Sequence, residues 1–373
     1  MAQGASARAQ IRGNVDGRTI GLGWAAISVL AASADATLIQ MKGGLGSAPD
    51  SVVYFWKWLL VATISGSVSL WQPRSAPPPH AVRATEDRRL LHLPRTWLHL
   101  AVGSVSVLIA SLHTVGITHS MPSIAVMAFY ANPLWAILFH AIFFGTGVPY
   151  LTIVTILIAV ACCGVPAYLA LVSQPELHAA AANATEVHVI SGGSGSASGQ
   201  YEWWGIILSV VASMGYAGYM TVCRSAASEC PSLPMNRANA IGNGCAAAVG
   251  LVWSLACGNE LFPPVATFWW LALADGLCVG ISTSVVVFAT MHLPATDLAM
   301  FLSSEIAFSQ LLLYLFGVEV ATPAKIVCGL ILIGSLAAHE VMLFRGICAK
   351  MACEPATTFN ADETPTEKTP LSN

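Results

Sequence analysis

Apolar residues run along this chain in ten blocks, near 21–41, 51–71, 97–118, 122–144, 150–172, 203–223, 237–257, 267–290, 295–316 and 323–344. Each is long enough, or nearly so, to cross a hydrocarbon core of about 30 Å, which takes about 20 helical residues. Backbone N–H and C=O groups cannot be left unpaired in lipid, so every block is expected to be a helix. The pattern predicts an all-α integral membrane protein with ten transmembrane helices. The first block follows Arg8, Arg12 and Arg18 and ends at Gln40-Met41-Lys42 without a small-residue cleavage site. It reads as a span rather than a cleaved signal.

The second half of the chain echoes the first. Trp97-Leu98-His99-Leu100-Ala101-Val102-Gly103 recurs as Trp270-Leu271-Ala272-Leu273-Ala274-Asp275-Gly276. After a one-residue slip the echo continues 172 positions apart: Thr118 with Thr290, Pro122 with Pro294, Phe129 with Phe301, Phe144-Gly145 with Phe316-Gly317. Matching Trp, Pro, Phe and Gly in register argues for an internal duplication, the usual architecture of secondary transporters. Five spans per half, an odd number, would face the halves opposite ways across the bilayer, as inverted repeats.

This divides the chain into a basic lead (1–19), a first repeat (20–173), a linker (174–201), a second repeat (202–345) and a polar tail (346–373) expected to be disordered. The linker has no Lys or Arg and ends in a Gly/Ser run, so it is expected to be flexible and non-cytosolic. Within it, Asn183-Ala184-Thr185 is an N-glycosylation sequon.

Composition supports lipid as the main solvent, since charged residues make up only 9% of the chain against roughly 25% in soluble domains. Charge placement then sets orientation. Arg8, Arg12, Arg18, Arg74, Arg83, Arg88, Arg89, Arg95, Arg224, Arg237, Arg345, Lys350 and Lys368 all fall on one side. By the positive-inside rule, both termini are expected in the cytosol. Plasma and internal membranes stay equally open. The ten cysteines include no Cys-x-x-Cys or Cys/His metal spacing, so no metal or other cofactor is expected.

The segments 118–167 and 290–339 resemble the EamA-like repeat of the drug/metabolite transporter superfamily. The first copy carries Pro122-Ser123-Ile124-Ala125, Asn132-Pro133-Leu134 and Phe144-Gly145. The second carries Pro294-Ala295-Thr296-Asp297, Phe316-Gly317-Val318-Glu319 and the Gly-rich Gly329-Leu330-Ile331-Leu332-Ile333-Gly334. The resemblance implies alternating-access transport of a small solute. It also implies structural roles for Pro133, Gly145 and Gly317, and for Glu319 as a cap or hinge. Two positions depart from the pattern. Gly145-Thr146-Gly147 lacks the acidic residue, and Glu305 stands where Pro133 stands in the first copy.

Candidate chemistry centres on Glu305, about ten residues from either end of the ninth span. An ionised carboxylate there needs water, a partner or a substrate. Helical spacing puts Phe301, Ser304, Phe308 and Ser309 on its face, a lining suited to a small ligand. Glu305 reads as a proton-coupling carboxylate or a cation anchor, the alternative being a protonated group bonded between helices. Asp35 and Lys57 lie at equal depth on adjacent antiparallel spans, roughly 10 Å below the outer surface, which suits an ion pair. His113 and Asp275 occupy equivalent spans of the two repeats. His113 could titrate near neutral pH, and Asp275 could frame the outer mouth. Tyr130, Asn132 and Pro133 are expected to face Glu305 across the pseudo-symmetry axis.

The chain contains no Gly-x-x-x-x-Gly-Lys-Ser/Thr phosphate loop and no evident nucleophile–base pair, so an enzyme is not expected. The reading is a secondary transporter or exchanger of a small polar metabolite, with an amino acid or small cation favoured. Nucleic acid is not an expected partner, whereas the lipid bilayer is, and a homodimer is possible. A nucleotide-sugar or sugar-phosphate exchanger ranks lower because Lys57 alone is available for phosphates. A non-transporting receptor or scaffold on the same fold is the alternative of another class.

Overall fold

The computed structural model describes residues 2–41, 45, 48–71, 95–120, 122–130, 132–145, most of 150–169, 203–230, 232–293, 295–318 and 322–353. Asn183 with its linker, Glu319 and the tail beyond 353 lie outside the described residues. In chain order the helices are α1 (Ala2–Ala32), α2 (Asp35–Gln40), α3 (Asp50–Trp71), α4 (Arg95–Ala110), α5 (His113–His119), α6 (Pro122–Phe129) and α7 (Asn132–Phe144). They continue with α8 (Tyr150–Cys162), then α9 (Trp203–Glu229), α10 (Asn236–Ala256), α11 (Ala266–His292), α12 (Ala295–Leu302), α13 (Glu305–Leu315) and α14 (Pro323–Cys353). The described residues contain no strand.

Among the described residues eight helical stretches are long and apolar enough to cross a membrane, so the chain is a multi-pass membrane protein by length and composition. The expected fifth and tenth spans are represented by shorter apolar stretches, Tyr150–Cys162 and Ile326–His339. The second of these lies within α14, a continuous helix of 31 residues. The other eight expected spans each have a helical counterpart, and α14 continues to Cys353, past the expected end of the second repeat. Large apolar side chains such as Leu30, Leu70, Trp97, Trp270 and Leu330 point outward, as a lipid-facing surface requires.

Inside the bundle α3 packs on α10, α1 on α11 and α4 on α9. Small residues set these approaches, as they do between membrane helices generally. A Cβ at Gly242 would lie 2.5 Å from the Ser104 carbonyl oxygen, so α10 meets α4 backbone to backbone; at Gly244, two residues on, nothing lies within 4 Å. Gly242→Ala is therefore expected to destabilise the protein by about 1–3 kcal/mol through overpacking. Gly244→Ala gains helix propensity without a clash. Thermal unfolding in detergent checks this, and equal behaviour of the two variants would refute the backbone contact.

Among the described residues four of the spans are interrupted at mid-length. The breaks fall at Ser33-Ala34 between α1 and α2, Ser111-Leu112 between α4 and α5, around Tyr130 between α6 and α7, and Ser303-Ser304 between α12 and α13. Three of them begin with a serine whose hydroxyl donates back into the preceding turn. Ser33 Oγ reaches Val29 O at 2.6 Å, Ser111 Oγ reaches Leu108 O at 2.6 Å and Ser303 Oγ reaches Ala299 O at 3.0 Å. Such bonds compete with the helical ladder and bend it. At the Ser111 and Ser303 breaks the amides shift to i−3 bonds: Leu112 N to Ile109 O at 3.2 Å, Ser304 N to Phe301 O at 3.1 Å. The fourth break needs no serine, because Pro133 has no N–H to give to the Phe129 carbonyl. Gly145 (φ 61°) and Gly317 (φ 65°) follow the fourth and ninth spans at the positions paired by the sequence echo. Each supplies the left-handed residue that terminates a helix.

Candidate functional site

Each interrupted helix resumes on a polar residue. The resuming residues are Asp35, His113, Asn132 and Glu305. Asp35, His113 and Glu305 border one cavity in the middle of the bundle, together with Tyr130, Phe129, Tyr216, Tyr219 and Trp58. Its volume is about 70 Å³, below the about 300–1,000 Å³ of pockets that enclose a small-molecule ligand. A metabolite enters only if the surrounding helices separate.

The aromatic wall is layered. His113 stacks on Phe129 with ring centroids 4.1 Å apart, and Phe129 in turn meets Tyr130 and Tyr216, each at 5.4 Å. Glu305 is 9% exposed and interacts with the Tyr130 hydroxyl. The opposite wall is uncharged and hydrogen-bonded. Asn243 Nδ2 donates to Asn239 Oδ1 at 2.8 Å, and Asn239 Nδ2 donates to Ser65 Oγ at 2.9 Å. Ser282 and Thr283 border the same wall. Asn243 Oδ1 is buried without a hydrogen-bond partner, which leaves an acceptor.

The Asp35–Lys57 pair expected from equal depth is present, with Lys57 Nζ bonded to Asp35 Oδ1. Lys57 is 1% exposed, and its ammonium also lies 3.5 Å from Asp275 Oδ2 and 5.4 Å from the Trp58 ring centre. Asp275 is wholly buried beside this pair. It does not frame an outer mouth as the sequence suggested. Its depth was legible, but its rotation about the helix axis is set by packing. Gly276 and Gly280 seat that side of α11 against Leu60 and Ile64 of α3.

Other candidates lie elsewhere. Phe301 packs in an apolar cluster with Leu22, Val29, Ala217 and Leu298, and Ser304 Oγ donates to the Phe301 carbonyl at 2.7 Å. Neither is among the residues lining the cavity. Phe308 faces a separate apolar groove of about 320 Å³ between α6, α8, α13 and α14. For Phe301 the reason is the break at Ser303-Ser304, across which regular helical spacing no longer predicts a shared face; Phe308 lies on α13 with Glu305, beyond that break. Asn132 and Pro133 are buried at the start of α7, and neither polar atom of the Asn132 amide has a hydrogen-bond partner.

Polar side-chain pairs tie the helices at both ends of the bundle. Arg18 of α1 meets Asp297 of α12 at 3.4 Å on one side. His119 of α5 meets Asp50 of α3 at 3.0 Å on the other. Among the described residues no group of three or more His, Cys, Asp or Glu is arranged to hold a metal ion.

Sequence reasoning gave Asp275 too little weight and passed over Tyr216, Tyr219, Asn239 and Asn243. Two signals pointed to the site. One is the triplet that starts with serine and ends on an ionisable residue: Ser33-Ala34-Asp35, Ser111-Leu112-His113, Ser303-Ser304-Glu305. The other is Gly276 and Gly280 spaced by four beside Asp275, which marks a helix-packing face.

No protein-family model matches the chain, and no curated protein matches it. One solved structure, described only as "Crystal structure of protein", is similar in fold, with a TM-score of 0.59 at 16% identity. The match covers 88% of this chain and 99% of that one.

Proposed function

We propose that the protein is a secondary transporter that moves a small solute bearing a cationic group, an amine or amino acid, by alternating access around the central cavity. The observation that carries this reading is the character of that cavity. It is acidic and aromatic, lies where four interrupted helices meet, and has no Lys or Arg among its described lining. Carboxylates and aromatic faces suit an ammonium group, and interrupted helices at mid-membrane are the usual binding architecture of transporters. Lys57 is spoken for by two carboxylates, which disfavours a phosphorylated substrate. The full proposal has ten spans in two inverted EamA-like repeats, both termini cytosolic, with Glu305 exchanging a proton against the solute.

The size of the cavity supports a gated cycle. Opening one side requires release of either the Arg18–Asp297 or the Asp50–His119 pair, and these sit on different helices. The test is uptake into proteoliposomes across amines, amino acids, nucleotide sugars and sugar phosphates, with and without an imposed pH gradient. Uptake of a cationic solute, accelerated by the gradient, is the expected result. Uptake of phosphorylated solutes alone would reject the substrate class. Absence of flux for every class would favour a receptor or scaffold.

A further inference from the structure

The buried triad of Asp35, Lys57 and Asp275 has two carboxylates for one ammonium. Lys57 bonds directly to Asp35 but stands 3.5 Å from Asp275. Asp275 has no exposed surface, and neither of its carboxylate oxygens takes part in a hydrogen bond. Its carboxyl stands close enough to that of Asp35 for the two to interact. The groups facing Asp275 are Lys57 of α3, Asp35 of α2 and Cys278 of α11 itself, with His113 of α5 and Glu305 of α13 beyond Asp35. From α9, Tyr216 and Tyr219 face the same cavity. Two carboxylates that close in a low-dielectric site do not both ionise against one cation. Asp35 keeps the negative charge, because it holds the tight bond to Lys57 and borders the cavity.

We infer that Asp275 is a proton-binding site separate from Glu305, protonated in this conformation, with Lys57 as the element that couples it to the cavity. A solute ammonium arriving at Asp35 competes for that carboxylate. Lys57 then moves its ion pair to Asp275, whose O–H bond breaks, the proton passing to solvent water admitted when the helices separate. When the solute departs, Asp275 takes a proton back and Lys57 returns to Asp35. Charge balances at each stage, with one cation gained at Asp35 and one proton lost from Asp275. The exchange role rests on the transporter reading above, whereas the proton on Asp275 does not.

The full-length protein in liposomes, without solute, is examined by infrared spectroscopy at neutral pH for carbonyl stretches of protonated carboxylic acids. The expected result is a band that disappears in Asp275→Asn and persists in Glu305→Gln. Asp275→Asn is also expected to keep the wild-type thermal midpoint, since an amide replaces a neutral acid of the same shape. If Asp275→Asn retains every protonated-carboxyl band, or if its midpoint falls sharply, Asp275 is charged and the proposal is overturned. If the band is present but uptake of cationic solutes ignores a pH gradient, the proton site stands and the coupling reading fails.

Discussion

Lys57→Met is expected to destabilise the protein by about 3–5 kcal/mol, the cost of leaving a buried charge without its partner. Lys57 is 1% exposed and is the ammonium that compensates Asp35. Methionine matches the length of the lysine stem and packs in the same space, so the loss comes from the charge. The double variant Asp35→Asn/Lys57→Met removes both partners and is expected to recover most of the stability, because neutral replacement of a buried pair is often tolerated. Thermal unfolding of purified protein in detergent, read with gel-filtration homogeneity, measures both. A single variant as stable as wild type would mean that Asp35 is neutral in the folded protein. Recovery of stability is not expected to bring back transport, since the double variant has no carboxylate at the cavity end of α2.

Glu305→Gln is the second variant with a large expected effect, and it acts on transport. Gln keeps the size and hydrogen-bonding capacity of the acid and cannot take up or release a proton. Uptake driven by a pH gradient is expected to fall by about 5- to 150-fold, the usual range for coupling between linked sites. Exchange of labelled for unlabelled solute without a gradient should persist. Tyr130, whose hydroxyl interacts with Glu305, gives a graded control. Tyr130→Phe is expected to weaken coupling less than Glu305→Gln, because the acid remains. An unchanged response of Glu305→Gln to the gradient would remove Glu305 from the coupling step.

The vertical coordinate of this protein is legible in its sequence, and the angular one mostly is not. Depth follows from counting residues at a fixed helical rise, so counting alone pairs Asp35 with Lys57. Rotation about each helix axis depends on which neighbour packs where, a tertiary property. Asp275 shows the difference. Its depth follows from the same count, yet only the seating of Gly276 and Gly280 against α3 turns it toward Lys57. Glu305 stands out because a charge in mid-membrane is costly. Phe301 and Ser304 share its face only if the helix is unbroken, and the serine-made interruption removes that assumption.

The position of Lys57 also bears on how the chain is made. Asp35 and Lys57 are 22 residues apart, on consecutive spans, so one helical hairpin contains both charges. An insertion machine that releases helices into lipid one at a time would have to deliver Asp35 unpaired. One that holds the first two together delivers a neutral pair, because the ammonium reaches the carboxylate before either leaves the aqueous channel. Asp275 arrives more than two hundred residues later, when that pair is already closed. It enters lipid at least cost as the uncharged acid, the form in which the assembled bundle is inferred to keep it.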